Sequence, residues 1–129
     1  MSEAVRGVVV AHARLAEALI GAVAEIAGAD EGALVALSNQ GLAPPAIRER
    51  LESLVGPGPT IVFTDLREGS CGLVGRQVCT DRPGRALVTG VNLPMLLDFV
   101  LNRDRPLEEL VARVIERGQS AVRRQPGRG

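Results

Sequence analysis

Short, almost wholly apolar segments alternate with amphipathic stretches along the whole chain, and that alternation limits the fold more than any other feature. Gly7-Val8-Val9-Val10-Ala11 reads as a strand. A helical pattern over 14–28 follows it, with Leu15, Leu19, Ala22, Val23 and Ile26 at helical spacing and Gly28 as its close. Ala33-Leu34-Val35-Ala36-Leu37 is a second strand, ending in the loop Ser38-Asn39-Gln40-Gly41. Pro44 and Pro45 open a second helix carrying Ile47, Leu51 and Leu54, since proline is tolerated in a first turn, where its missing N–H is not needed. Gly56-Pro57-Gly58-Pro59 breaks the chain before a third strand, Thr60-Ile61-Val62-Phe63-Thr64. Ser70 is the expected N-cap of a third helix running to about Thr80. Pro83-Gly84 turns into a fourth strand, Arg85-Ala86-Leu87-Val88-Thr89. A helix over 92–102 follows, then a last one begun by Pro106 with Leu107, Leu110, Val111, Val114 and Ile115 on one face.

Strand–helix alternation of this kind predicts an α/β fold, a doubly wound three-layer sandwich. Its mainly parallel four-stranded sheet carries helices on both faces. The first and third strands are the most continuously apolar and belong at the centre, which gives the order 2-1-3-4. Winding then reverses between those two strands, and ligands bind at such a switch point, beyond the carboxyl ends of the strands. His12 ends the first strand and Asp65 the third, so the two face one another across the crevice. One domain over 1–122 is expected, with a disordered tail over 123–129, Arg123-Arg124-Gln125-Pro126-Gly127-Arg128-Gly129.

Composition removes several function classes. The 129 residues carry a formal net charge of zero, so no global field draws the chain to nucleic acid or an anionic membrane. Phe63 and Phe99 are the only aromatic side chains, too few for the stacking platforms of single-strand nucleic-acid binders. No apolar run approaches the ~20 residues of a membrane span, and Ser2-Glu3 opens a terminus without a basic signal region. A soluble, cytoplasmic domain is expected. Cys71 and Cys79 are the two cysteines; on one helix they would stand about 12 Å apart, beyond the reach of a disulfide, and so are expected as free thiols in a reducing compartment. Two thiols and one histidine without ligand spacing give no reason to expect a metal, and no cofactor is implied.

The chemistry gathers around the single histidine. Imidazole acts as nucleophile or proton acceptor near neutral pH, and a carboxylate such as Asp65 can hold one ring nitrogen and leave the lone pair of the other free. The helix after Asp65 brings unpaired backbone N–H groups near Gly69, Ser70 and Cys71, together with the Ser70 hydroxyl, a ready cradle for phosphate. Arg14 and Arg67 could balance anionic charge there, or stand as solvated surface charges. Histidine nucleophile, orienting carboxylate and anion cradle point to phosphoryl transfer through a phosphohistidine.

Three ordered motifs also carry a resemblance. Val8-Val9-Val10-Ala11-His12 with Leu15-Ala16, then Phe63-Thr64-Asp65-Leu66 with Gly69-Ser70, then Gly90-Val91-Asn92-Leu93-Pro94-Met95-Leu96 resemble the enzyme IIA domain of the mannose-type sugar phosphotransferase system, from about residue 6 to 118. The resemblance implies a cytoplasmic homodimer that accepts a phosphoryl group from the carrier HPr and passes it to an enzyme IIB during sugar uptake. It implies His12 as the phosphorylated residue, Asp65 as its partner, and Gly69, Ser70, Cys71 and Arg14 around the phosphate. Asn92, Pro94, Met95 and Leu96 would lie at the rim, where exposed apolar side chains, Met95 and Leu96 especially, suit docking by a carrier protein. The alternative for that segment is a helix start with Met95 and Leu96 in the core. The chain departs from the family at three places: Ala13 follows the histidine where glycine is usual, Glu68 replaces the first of two loop glycines, and Cys71 stands where proline is common. Competing readings are a regulatory IIA-like domain whose phosphorylation state a partner reads, the related subunit serving dihydroxyacetone kinase, and an inert scaffold.

Overall fold

A computed structural model describes residues 3–28 and 32–127. In chain order the elements are β1 (Arg6–Ala11), α1 (Leu15–Ala27), β2 (Leu34–Ser38), α2 (Pro44–Leu54), β3 (Thr60–Thr64), α3 (Gly69–Cys79), β4 (Arg85–Thr89), α4 (Leu93–Leu101) and α5 (Leu107–Ser120). The four strands form one sheet in the order β2-β1-β3-β4, every pair parallel. This is the α/β arrangement that the alternation of strands and helices predicts.

Strand side chains alternate between two core layers. Val9 and Ala11 of β1, Ile61 and Phe63 of β3 and Val88 of β4 face α1, α4 and α5. Val8, Val10, Leu37 and Val62 face α2 and α3. Both central strands are covered on both sides, which explains why their sequences are apolar without alternation. Phe63 and Phe99 meet edge to face at the centre of the first layer, with ring centroids 5.4 Å apart and planes at 83°. Gly7 lets them sit there: a Cβ on it would come within 2.7 Å of Leu34 Cδ2 and 2.9 Å of Phe99 Cε2. Cys71 and Cys79 are buried and free in the second layer, on one helix as expected.

Three sequence expectations change at this level. The second strand runs one residue later than predicted, since Ser38 still pairs with Ala11. Ser70 is not the N-cap of α3; Glu68 holds that position in extended conformation, without a side-chain cap, and Ser70 lies within the first turn. Met95 and Leu96 are not exposed at a rim but buried, at 4% and 0%. Asn92 explains the last of these. Its side chain accepts from the Met95 N–H at 3.1 Å, which starts α4 at Leu93 and turns Met95, Leu96 and Phe99 onto the sheet. Residues 122–127 are irregular and exposed, while Arg128 and Gly129 of the expected tail lie outside the described residues, as does Ser2 at the other end. No helix among the described residues is long and apolar enough to cross a membrane.

Candidate functional site

His12 leaves the carboxyl end of β1 and Asp65 that of β3, side by side because the two strands pair in parallel, with Val10 opposite Thr64. Asp65 Oδ2 accepts two hydrogen bonds, from the His12 backbone N–H at 2.9 Å and from Nδ1 of its ring at 2.8 Å. Asp65 Oδ1 accepts the Leu66 N–H at 3.0 Å. The carboxylate is therefore fixed on both oxygens, and its side chain is only 10% exposed against 41% for His12. Burial pushes the Asp65 carboxyl up, but the hydrogen bonds from the His12 backbone and ring, and the charge the ring can carry, outweigh it and leave the group below its ordinary 3.8. An ionised Asp65 assigns the Nδ1 position as donor, so the neutral ring keeps its lone pair on Nε2.

Nε2 looks toward the first turn of α3. A Cβ added to Gly69 would lie 3.8 Å from Nε2 and 3.7 Å from Cε1, so the backbone of that residue stands beside the reactive nitrogen. Gly69 has φ +82°, the left-handed region that glycine enters without steric cost. A second close approach tightens this loop. A Cβ on Gly72 would overlap the Arg67 carbonyl, which also accepts from Arg76 Nη1 at 2.7 Å. The first N–H groups of any helix lack partners within it, and here they open beside Nε2 together with the half-buried Ser70.

The turn after His12 is held from a direction that sequence reasoning missed. Asn39 Oδ1 accepts the Ala13 N–H at 3.2 Å, and Ser38 Oγ donates to the Ala13 carbonyl at 2.6 Å. The Gln40 N–H in turn donates to Ser38 Oγ at 3.0 Å. These contacts hold Ala13 at φ +54°, a conformation few non-glycine residues adopt. The signal was present: polar residues close the strand that the 2-1-3-4 order places next to β1.

Arg14 and Arg67 are both exposed, and among the described residues neither guanidinium makes an ion pair or hydrogen bond. Asn92 lies along the same sheet edge, one residue beyond Val91, whose N–H donates to the Thr64 carbonyl at 3.0 Å. Its amide is occupied within the fold, by Met95 and by the Gly118 carbonyl at 3.0 Å, and Pro94 beside it is half-buried. The apolar side chains that do reach solvent near the site are Leu15, Leu66 and Leu73, at 43%, 55% and 40% exposure. They follow His12, Asp65 and Ser70 closely in sequence. Cys71 Sγ adds a third kind of donor: it, a His12 ring nitrogen and an Asp65 carboxylate oxygen all lie within 4.8 Å of one another.

The profile of the family described as "PTS system fructose IIA component" matches residues 7–115, a span that includes the strand-end histidine, the carboxylate and the glycine turn. The chain belongs to this family. Solved structures agree in fold. A phosphotransferase system component EIIA from Streptococcus agalactiae superposes with a TM-score of 0.86 at 24% identity, covering 93% of this chain and 96% of that one. The mannose/sorbose-specific IIA subunit from Enterococcus faecalis gives 0.85 at 24% identity and covers 98% of each. A IIA protein associated with the fucose utilization operon of Streptococcus pneumoniae gives 0.81 at 21% identity, covering 95% of this chain and 94% of that one. A search of curated proteins finds no match. As a IIA-family chain, the protein is a component of a phosphotransferase system.

Proposed function

We propose that the protein is a phosphocarrier: His12 accepts a phosphoryl group from phospho-HPr and passes it to an enzyme IIB during sugar uptake. The observation that carries this reading is the His12 Nδ1 to Asp65 Oδ2 contact of 2.8 Å, with Nε2 left facing the first turn of α3. In the transfer, the Nε2 lone pair forms a new P–N bond while the P–N bond of the donor breaks, its electron pair returning to the donor's imidazole. His12 becomes positively charged as it attacks, and the fixed Asp65 carboxylate stabilises that charge without moving. The transferring group spreads negative charge over its equatorial oxygens, where the N–H groups near Gly69, Ser70 and Cys71 and the Ser70 hydroxyl can receive it. Arg14 is close enough in sequence to add a counter-charge once a phosphate is present. The second transfer, to the enzyme IIB, is the same step in reverse with a new acceptor.

Partner proteins must cover a half-exposed histidine, and Leu15, Leu66 and Leu73 supply apolar surface around it. With Met95 and Leu96 in the core, these three leucines take over the docking role, while Asn92 and Pro94 shape the edge of the crevice. The same reading places the chain in the cytoplasm as a homodimer. The test is to incubate it with phosphoenolpyruvate, enzyme I and HPr and follow intact mass beside a His12→Ala control. Gain of one phosphate, acid-labile and absent from the control, is the expected result. Undiminished labelling of the control would overturn the reading.

A further inference from the structure

We propose that His12, Asp65 and Cys71 form a binding site for a thiophilic divalent cation of the zinc class, and that the bound metal silences His12. The three donors come from three separate elements: the end of β1, the end of β3 and the first turn of α3. All three donor atoms lie within 4.8 Å of one another, and His12 Nδ1 already stands 2.8 Å from Asp65 Oδ2. Bonds of about 2.0 Å to nitrogen and oxygen and 2.3 Å to sulfur put neighbouring tetrahedral donors roughly 3.3–3.5 Å apart. Closing the site therefore needs a shift of about an ångström, within reach of an imidazole that is 41% exposed.

The donor set also chooses the metal. One sulfur, one imidazole nitrogen and one carboxylate oxygen suit zinc and its neighbours, whereas magnesium and calcium favour oxygen alone. Cys71 is fully buried, so its sulfur is held on the protein side of the site, and the fourth position opens where His12 meets solvent. On binding, the Cys71 thiol releases its proton to solvent; metal at Nδ1 displaces the hydrogen shared with Asp65, which moves to Nε2, whereas metal at Nε2 leaves that hydrogen in place. Counting cysteines and histidine by spacing misses this set, because Asp65 joins it only through the parallel pairing of β1 with β3.

Silencing rests on the phosphocarrier reading. Metal on Nε2 occupies the attacking lone pair; metal on Nδ1 takes the ring from Asp65 and leaves the proton on Nε2, which then has no lone pair to attack with. Either way, metal and phosphoryl group exclude one another. Phosphorylation would correspondingly lower the affinity for metal.

Cobalt titration of the reduced full chain tests the site without any phosphotransfer partner. One equivalent of cobalt should bind with the ligand-field bands of a four-coordinate site and a thiolate-to-cobalt charge-transfer band, and zinc should displace it. Cys71→Ser should lose the charge-transfer band and bind at least tenfold more weakly, while Cys79→Ser should match the parent chain. A parent chain that binds no cobalt, or binds it without the thiolate band, overturns the site whether or not the variants fold. A band that survives in Cys71→Ser and vanishes in Cys79→Ser overturns it too. Phosphate uptake from preformed phospho-HPr is then compared with and without equimolar zinc. A large drop in the parent chain, and in Cys79→Ser, supports silencing, and unchanged uptake by zinc-loaded chain overturns it. A metal-free chain that takes up no phosphate would refute the phosphocarrier reading and leave the cobalt result standing.

Discussion

Replacing Ala13 by glycine should stabilise the protein. Ala13 sits at φ +54°, in the left-handed region, and two side chains at the end of β2, Ser38 and Asn39, hold it there, Ser38 itself fixed by the Gln40 N–H. The Asn39 carboxamide takes its N–H at 3.2 Å and the Ser38 hydroxyl donates to its carbonyl at 2.6 Å, so the residue cannot relax without breaking the turn that presents His12. An L side chain in this conformation costs about 1–2 kcal/mol, because Cβ crowds the following carbonyl. Glycine removes that cost but returns about 0.4–1 kcal/mol through the larger freedom of its unfolded chain. The net gain is about 0.5–1 kcal/mol, worth roughly 2–4 °C in melting temperature for a chain of this size. Thermal melts and urea titrations of the parent chain and Ala13→Gly measure it, with the urea midpoint rising at unchanged slope. A midpoint that stays put or falls would refute the argument, since it would mean the turn imposes no left-handed conformation on residue 13.

Four further outcomes are expected. Asp65→Asn should slow phosphoryl uptake by about 10²-fold or more, since the charge that orients His12 and stabilises its cationic form is gone; uptake within twofold of the parent would argue against Asp65 as the orienting group. The same pair shapes the acid limb of stability: with the Asp65 carboxyl held below 3.8, its contribution is full above the unfolded value and lost as pH falls through the folded one. The melting-temperature difference between parent and Asp65→Asn should thus be flat above about pH 5 and shrink below about pH 4. Asn92→Ala should cost about 1–2 kcal/mol in chemical denaturation, from loss of the α4 cap and of the bond to the Gly118 carbonyl. Leu66→Ser should leave the melting temperature within a degree or so of the parent while weakening transfer from phospho-HPr, read as a higher KM with kcat little changed.

The sheet was legible because its logic is local. Apolar runs at 7–11 and 61–63 announce strands covered on both faces, and helices between them force parallel crossovers. From that order the meeting of His12 and Asp65 follows, and the structure brings them to 2.8 Å. What was not legible depends on which way a helix turns. Whether Met95 and Leu96 face solvent or core is decided by where Asn92 starts α4, a matter of a single residue in phase. Ser70 reads as a cap by residue type, yet the left-handed Gly69 lets α3 begin earlier, at the expense of a capping side chain. The clamp on Ala13 by Ser38 and Asn39, and the approach of Cys71 to the His12–Asp65 pair, join residues far apart in sequence. No periodicity reports such pairs, and only the completed fold sets their distance.

The central claim is that His12 carries the phosphoryl group on the nitrogen that Asp65 leaves free. Nitrogen-15 and phosphorus-31 NMR of the chain labelled at its single histidine and phosphorylated through HPr addresses it directly. The account requires phosphorus coupled to Nε2, with the proton on Nδ1 retained and hydrogen-bonded. Phosphorus on Nδ1, or a phosphoryl group elsewhere in the chain, would contradict it.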